Sequence, residues 1–233
     1  FYSRIYQNIE QVAMFEDMQN GFDDDIINLL ADITEFRNAE TGSHVKRISE
    51  YSYVLAKLSG MFEEEAHLIA KLAVLHDIGK VTIHDSILCK PAKLSSDEFE
   101  IMKNHTVNGG ELLEKAFLSD AKVGQIAVDI ALYHHEKWDG TGYPKGLKEE
   151  EIPMHARIVG LVDVFDALMN KRVYKDEWAL EDVLKFIQEQ SKIHFDPRLV
   201  KLFIKHIDCF LNVLEKFGTD NVSDFRFCKI QEK

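Results

Sequence analysis

The sequence predicts an all-α fold, a bundle of helices extending from about residue 21 to residue 216. Three observations carry that prediction. Apolar residues recur at helical spacing along most of the chain, and no segment keeps the strict alternation of a half-buried strand. Only 4 of the 233 residues are proline and 12 are glycine, and three of those glycines and two of the prolines fall in the single stretch 137–153. Hydrophobic residues make up 45% of the chain, enough to fill the core of one large domain or two small ones.

The elements follow in order. In residues 1–20, Phe1, Ile5, Ile9, Val12 and Phe15 form one helical stripe, which suits either a signalling or dimerisation helix or a helix packed on its own domain. Acidic residues at 23–25 open a helix through Phe36, with Ile26, Ile27, Leu30 and Ile33 facing inward. A helix starting at 41–43 runs to Leu58 and stops at Gly60, and another covers 63–75. Ser95 and Glu98 form a capping-box pattern ahead of Phe99 and Met102. Further helices are expected over 106–117, 120–135, 154–169, 179–191 and 197–216. The stretch 137–153 reads as a long ordered loop. The chain thus divides into a helix over 1–20, a domain over 21–216 and a polar tail over 217–233.

Bulk properties exclude some functions. A net charge of −12 argues against a nucleic-acid polymer as partner, because such binders carry a basic face. A small anion stays admissible, since bound cations reverse the local field. Cys89, Cys209 and Cys228 are isolated and read as reduced thiols of a cytoplasmic protein. No apolar run approaches the ~18 residues of a membrane span. The chain begins at Phe1, so a preceding N-terminal sensor domain is expected.

Eight side chains are candidates for a shared cation site: Glu40, His44, His76, Asp77, His105, His134, His135 and Asp163. They include five of the ten histidines and no cysteine. Imidazole and carboxylate without thiolate suit iron, manganese or zinc in a catalytic site rather than a closed structural zinc site. Eight are too many for one ion, so two or three are expected. Glu40 and His44 are four apart and share a helix face. Adjacent helical side chains diverge by about 100°, so His76 and Asp77 can share an ion only near a helix end, which Gly79 allows. Asp163 lies in an apolar run, where a carboxylate needs neutralisation. Asp166, three residues on, suits either a group that orients a ligand or a cap or ion pair. Taken singly, His105 is better explained as a satisfied core histidine, and His134 with His135 as an exposed helix C-terminus.

Taken in order, the motifs resemble one family, the HD-GYP domains of the HD superfamily of metal-dependent phosphohydrolases. The matching stretches are Glu40-Thr41-Gly42-Ser43-His44 with Arg47, and His76-Asp77-Ile78-Gly79-Lys80. They continue with Asp85-Ser86-Ile87-Leu88, Lys90-Pro91-Ala92-Lys93-Leu94 and Met102-Lys103-Asn104-His105. The signature is His134-His135-Glu136-Lys137-Trp138-Asp139-Gly140-Thr141-Gly142-Tyr143-Pro144, followed by Asp163-Val164-Phe165-Asp166, Arg172-Val173-Tyr174-Lys175 and Phe195-Asp196-Pro197. The match covers roughly 25 to 205. His84 stands where the family often has proline and Ala92 where it often has glycine, both outside the metal positions.

The resemblance implies a helical bundle with a buried multinuclear metal site that hydrolyses cyclic di-GMP to pGpG, and onward to GMP, through a metal-activated water. It assigns His44, His76, Asp77, His105, His134, His135 and Asp163 to the metals, with Glu40 supporting a third ion, and iron or manganese as the metal. Asp77 and Lys80 are the expected catalytic residues. Lys80, Arg172 and Lys175 would contact substrate phosphates, and Tyr143 would shape the pocket. The alternatives are a hydrolase preferring the mixed cyclic GMP–AMP dinucleotide and a non-catalytic cyclic-dinucleotide receptor.

Overall fold

The computed structural model describes residues 42–117, 121–170 and 178–218, together with Ile27, Leu29, Leu30, Ala31 and Thr34. The stripe over 1–20, Glu40, Arg172, Lys175 and the tail beyond 218 lie outside the described residues. Helix α1 (Gly42–Leu58) buries His44, Ile48, Tyr51 and Leu55, a set spaced by three and four. Its ligand-type histidine therefore sits on the stripe that faces the core. Helix α2 (Glu63–Ala73) opens with Glu63, Glu64 and Glu65 and closes near Lys71, charges that complement its dipole. Its inner face is Ala66, Ile69, Leu72 and Ala73, and it packs along α1.

After α2 the backbone tightens into a 3-10 turn, Ile78–Thr82, and a short helix α3 (Asp85–Leu88), neither of which has a signal in the periodicity. Helix α4 (Ser96–Ala116) starts at the Ser95/Glu98 capping box: Ser95 Oγ accepts from the Glu98 amide at 3.2 Å, and the Glu98 carboxylate accepts from the Ser95 amide at 2.7 Å. The expected helix over 106–117 is thus only the second half of a longer one. The glycine pair within it reflects close packing, as Gly109 meets Gly79 and Gly110 meets Leu132.

Helix α5 (Ala121–Tyr133) leads to the loop over 137–153, which holds one 3-10 turn, Glu149–Glu151. Helix α6 (Met154–Met169) is the most enclosed, with Ile158, Val159, Leu161, Val162 and Phe165 buried. It lies against both α1 and α5. Helices α7 (Leu180–Glu189), α8 (Pro197–Lys205) and α9 (Ile207–Phe217) complete the bundle. The run expected as one helix over 197–216 is broken at His206, where φ is −117° and ψ 30°. The break lets α8 stay against α7 while α9 runs along α1. Tertiary packing decides this, and no residue there is a helix breaker. Phe165, Phe203 and Phe210 meet Tyr51 in one aromatic cluster, with centroids 4.5 to 6.3 Å apart. No strand occurs among the described residues, and Ser191 and Phe195 form an isolated bridge. No helix among them is long and apolar enough to cross a membrane.

Two glycines fix how the ligand-bearing segments approach one another. A methyl group on Gly79 would lie 1.8 Å from the His105 carbonyl oxygen and 2.5 Å from the Gly109 nitrogen. One on Gly160 would lie 2.5 Å from the His134 carbonyl oxygen. These obstacles are backbone, so relief requires moving the turn off α4 or α6 off the end of α5. Gly79→Ala is expected to destabilise by about 3 kcal/mol or more. Thermal unfolding should show Tm lowered by roughly 6–12 °C.

Candidate metal centre

Five segments deliver ligand-type side chains to one end of the bundle core. His44 comes from the first turn of α1, His76 and Asp77 from the turn after α2, and His105 from the middle of α4. His134 and His135 follow directly on α5, whose last residue is Tyr133, and Asp163 comes from α6. The expected helix over 120–135 therefore ends early, and both histidines occupy the turn beyond it. Asp77 sits at φ −103° and ψ 9°, outside regular helix, which frees it to diverge from His76.

These residues fall into two adjoining groups. Asp77, His105, His134 and His135 form one, and His44, His76 and Asp163 the other; within each, the ligand atoms lie within 4.8 Å of one another. Asp77 stands between them. Its Oδ1 is 3.3 Å from His105 Nε2 and 3.8 Å from His134 Nε2, while its Oδ2 is 3.2 Å from His76 Nε2. His76 Nε2 is also 3.9 Å from Asp163 Oδ1. Each group is a set of nitrogen and oxygen donors of the kind that holds a divalent cation.

The hydrogen bonds on the far side of the rings determine which nitrogen faces the centre. His76 Nδ1 lies 2.8 Å from the Ala73 carbonyl, His105 Nδ1 2.7 Å from the Met102 carbonyl, and His134 Nδ1 3.1 Å from the carbonyls of Ile130 and Ala131. A carbonyl only accepts, so Nδ1 carries the proton and Nε2 keeps its lone pair in the neutral ring. His44 Nδ1 makes the same kind of bond to Asp166 Oδ2 at 2.8 Å. Arg47 holds that carboxylate by a fork, Nε to Oδ1 at 2.6 Å and Nη2 to Oδ2 at 3.0 Å, while its Nη1 donates to the Gly218 carbonyl at 2.8 Å.

Electrostatics favour the same protonation states. Burial pushes His134 down to about 3. Burial likewise lowers His105 and His135, so these rings are neutral at pH 7, as ligands must be. For Asp77, burial favours the neutral acid, but the adjacent Lys80 ammonium acts against it and the carboxyl stays well below its usual range. Lys80 Nζ is 2.5 Å from Asp77 Oδ2. The Nε2 atoms of His105 and His134 and Oδ1 of Asp77 are buried without a hydrogen bond. Buried polar atoms are normally satisfied. Three such atoms converging, with lone pairs inward, fit divalent metal ions.

The loop over 137–153 closes one side. Glu136 is buried and accepts from the amides of Lys145, Gly146 and Leu147 at 2.6, 3.0 and 3.1 Å. The amides of Trp138 and Asp139 donate to the carbonyls of His194 and Ile193. The loop thus sets Tyr143 beside His135, with ring centroids 4.9 Å apart, and burial raises the Tyr143 phenol. The structure brings together seven of the eight sequence candidates, and Lys80 and Tyr143 with them. Glu40, Arg172 and Lys175 fall outside the described residues. The sequence reading assigned no role to Arg47 or Glu136. Both stand inside matched motifs, Arg47 beside the Glu40–His44 stretch and Glu136 within the His134–Pro144 signature, and that placement is the signal that points to them.

Comparison with known proteins agrees with this architecture. The HD domain family profile matches residues 28–199. Over 204 residues the chain is 43% identical to the 3′3′-cGAMP-specific phosphodiesterase 2 of Vibrio cholerae, covering 88% of this chain and 38% of that protein. Over 181 residues it is 41% identical to a cyclic di-GMP phosphodiesterase of Thermotoga maritima, covering 78% of this chain and 48% of that one. The chain therefore spans between a third and a half of the length of these relatives. An HDGYP protein from Bdellovibrio bacteriovorus has a similar fold, with TM-score 0.56, 21% identity and coverage of 71% of this chain and 51% of that one. With the profile matched from the first described helical residues to the start of α8, and the histidine–aspartate centre enclosed within that span, the chain belongs to the HD domain family.

Proposed function

We propose that this domain is a metal-dependent phosphodiesterase that hydrolyses cyclic di-GMP to pGpG and onward to GMP. The observation that supports this reading best is the Asp77 carboxylate, set between two donor groups whose rings are held neutral with Nε2 turned inward. His44, His76 and Asp163 would hold one divalent ion and His105, His134 and His135 another, with Asp77 between them. Glu40 would support a third, and iron or manganese suits the donor set. Such ions, when bound, supply a nucleophilic water at neutral pH and Lewis-acid stabilisation of the phosphoryl oxygens.

The chain's own residues do the rest. Lys80, beside Asp77 and partly exposed, presents an ammonium to the non-bridging oxygens and to the leaving 3′ oxygen, where charge develops. Asp166, gripped by Arg47, keeps His44 in one orientation. Tyr143 limits water on the side of His135. Arg172 and Lys175 would hold substrate phosphates, the arginine by its planar fork. The similarity to a relative named as specific for 3′3′-cGAMP supports a second reading, in which the mixed GMP–AMP dinucleotide is preferred. Cys89 and Cys209 form no disulfide, which supports a cytoplasmic setting.

The test is side-by-side hydrolysis of the two dinucleotides by protein loaded anaerobically with iron or manganese, with products separated by chromatography. Cyclic di-GMP is expected to be consumed, with pGpG appearing before GMP. Because the protein carries a net charge of −12 and the substrate is a dianion, chelation should abolish binding as well as turnover. Tight binding by metal-free protein, measured calorimetrically, would contradict the reading.

A further inference from the structure

The metal centre does not end at its ligands: a chain of rings leads from it to the surface. His105 and His135 are 5.1 Å apart between centroids, His135 and Tyr143 4.9 Å, and Tyr143 and Phe99 6.3 Å in an edge-on arrangement. Phe99, in the first turns of α4, is 45% exposed although large and apolar. Lys103, one helical turn further along, places its Nζ 5.2 Å from the Phe99 centroid and 5.5 Å from that of Tyr143. Its ion partner is Glu100 at 2.7 Å, whose side chain is 69% exposed. An exposed pair of this kind contributes little, so the ammonium can exchange Glu100 for an anion at small cost.

An exposed ring and an ammonium on one wall match the two things a cyclic dinucleotide presents away from its reacting phosphate. These are a purine face and a second phosphate. Resting on the functional reading above, we propose that Phe99 and Lys103 form a distal subsite, in which Phe99 stacks on one nucleobase and Lys103 contacts the phosphate that is not being cleaved. Neither residue touches the reacting atoms. Their contribution lies in holding the ring of the substrate so that the other linkage meets Lys80 and the metal ligands. Stacking is tolerant of base identity, because every base offers a π-face. The subsite therefore strengthens binding of guanine-only and mixed dinucleotides alike, and selectivity between them arises elsewhere.

The test compares two diesters. One is cyclic di-GMP; the other is bis(p-nitrophenyl) phosphate, which has neither a purine nor a second phosphate. The readout is the ratio of their kcat/KM values for metal-loaded protein, with metal content measured alongside. Phe99→Ala is expected to lower that ratio about tenfold or more, mainly through KM for the dinucleotide. Phe99→Trp should restore it and Phe99→Leu should not. Lys103→Ala should lower the ratio and flatten its dependence on salt. The loss in Phe99→Ala should be equal, within about twofold, for cyclic di-GMP and the mixed dinucleotide. An unchanged ratio, or restoration by leucine, overturns the subsite. Failure of the functional reading looks different: the unaltered protein would cleave the simple diester and leave every cyclic dinucleotide intact, which removes the subsite with it.

Discussion

Asp77→Asn is expected to remove metal retention and turnover together. The substitution keeps the shape of the side chain and deletes its charge. Asp77 is the one carboxylate in its donor group among the described residues, and its two oxygens face histidines of both groups. Without it, three imidazoles remain to hold a divalent cation whose charge nothing balances. The Lys80 ammonium, now 2.5 Å from the carboxylate, would meet a neutral amide and add repulsion. Turnover of cyclic di-GMP should fall by at least about 10²–10³-fold, and the content of tightly bound metal after dialysis should fall with it. Circular dichroism should still report a helical fold, because Asp77 supports no core packing. A variant that keeps its metal and its activity would refute the placement of Asp77 between two ions.

Arg47→Ala is expected to produce the largest loss of stability. Arg47 is fully buried and forks onto Asp166, which is also buried. Burial alone would favour neutral Asp166, but hydrogen bonds from His44 and Arg47 keep its carboxyl below the usual range. Removing the guanidinium strands a buried charge, which costs about 3–5 kcal/mol, equivalent to a Tm lowered by roughly 6–20 °C for a domain of this size. Arg47→Lys recovers only part of this, since an ammonium cannot form the fork. The defect should also reach the metals unevenly. His44 depends on Asp166 for its orientation, so its donor group should lose affinity by about 10–100-fold, while the group around His105 is held by other bonds. Calorimetry and metal analysis of the same sample check both parts. Equal loss of all metal would argue that Arg47 acts through global unfolding alone.

The sequence made the donor residues legible because their chemistry is hard to explain otherwise. A carboxylate at 163 directly after Ile158-Val159-Gly160-Leu161-Val162, or consecutive histidines after an apolar helix, needs a partner in the core. Seven such residues do converge. Their division into two groups was not legible, since it depends on how α4, α5 and α6 cross. Those crossings are set by contacts such as Gly79 on His105 and Gly160 on His134, and a lone glycine in a helical pattern does not say what it touches. Helix existence was read well and continuity less well. The Ser95/Glu98 capping box marks the start of α4, but its continuity through the polar run around Asn104 is not legible, and the interruption at His206 carries no local signature. Arg47 and Glu136 stand in the matched motifs without a role, since only the partners Asp166 and the amides of 145–147 account for their burial.

The inward-facing imidazole lone pairs have a further consequence. Each of His76, His105 and His134 is anchored by Nδ1 to a carbonyl three or four residues earlier, so none can turn its acceptor away without breaking a local bond. The inward acceptors are therefore held ready for a cation only in the folded chain, and by mass action a cation that binds the folded state alone adds about 2.7 kcal/mol to it at a hundred times its dissociation constant. Cellular metal supply would thereby govern how long the folded chain survives as well as how fast it works.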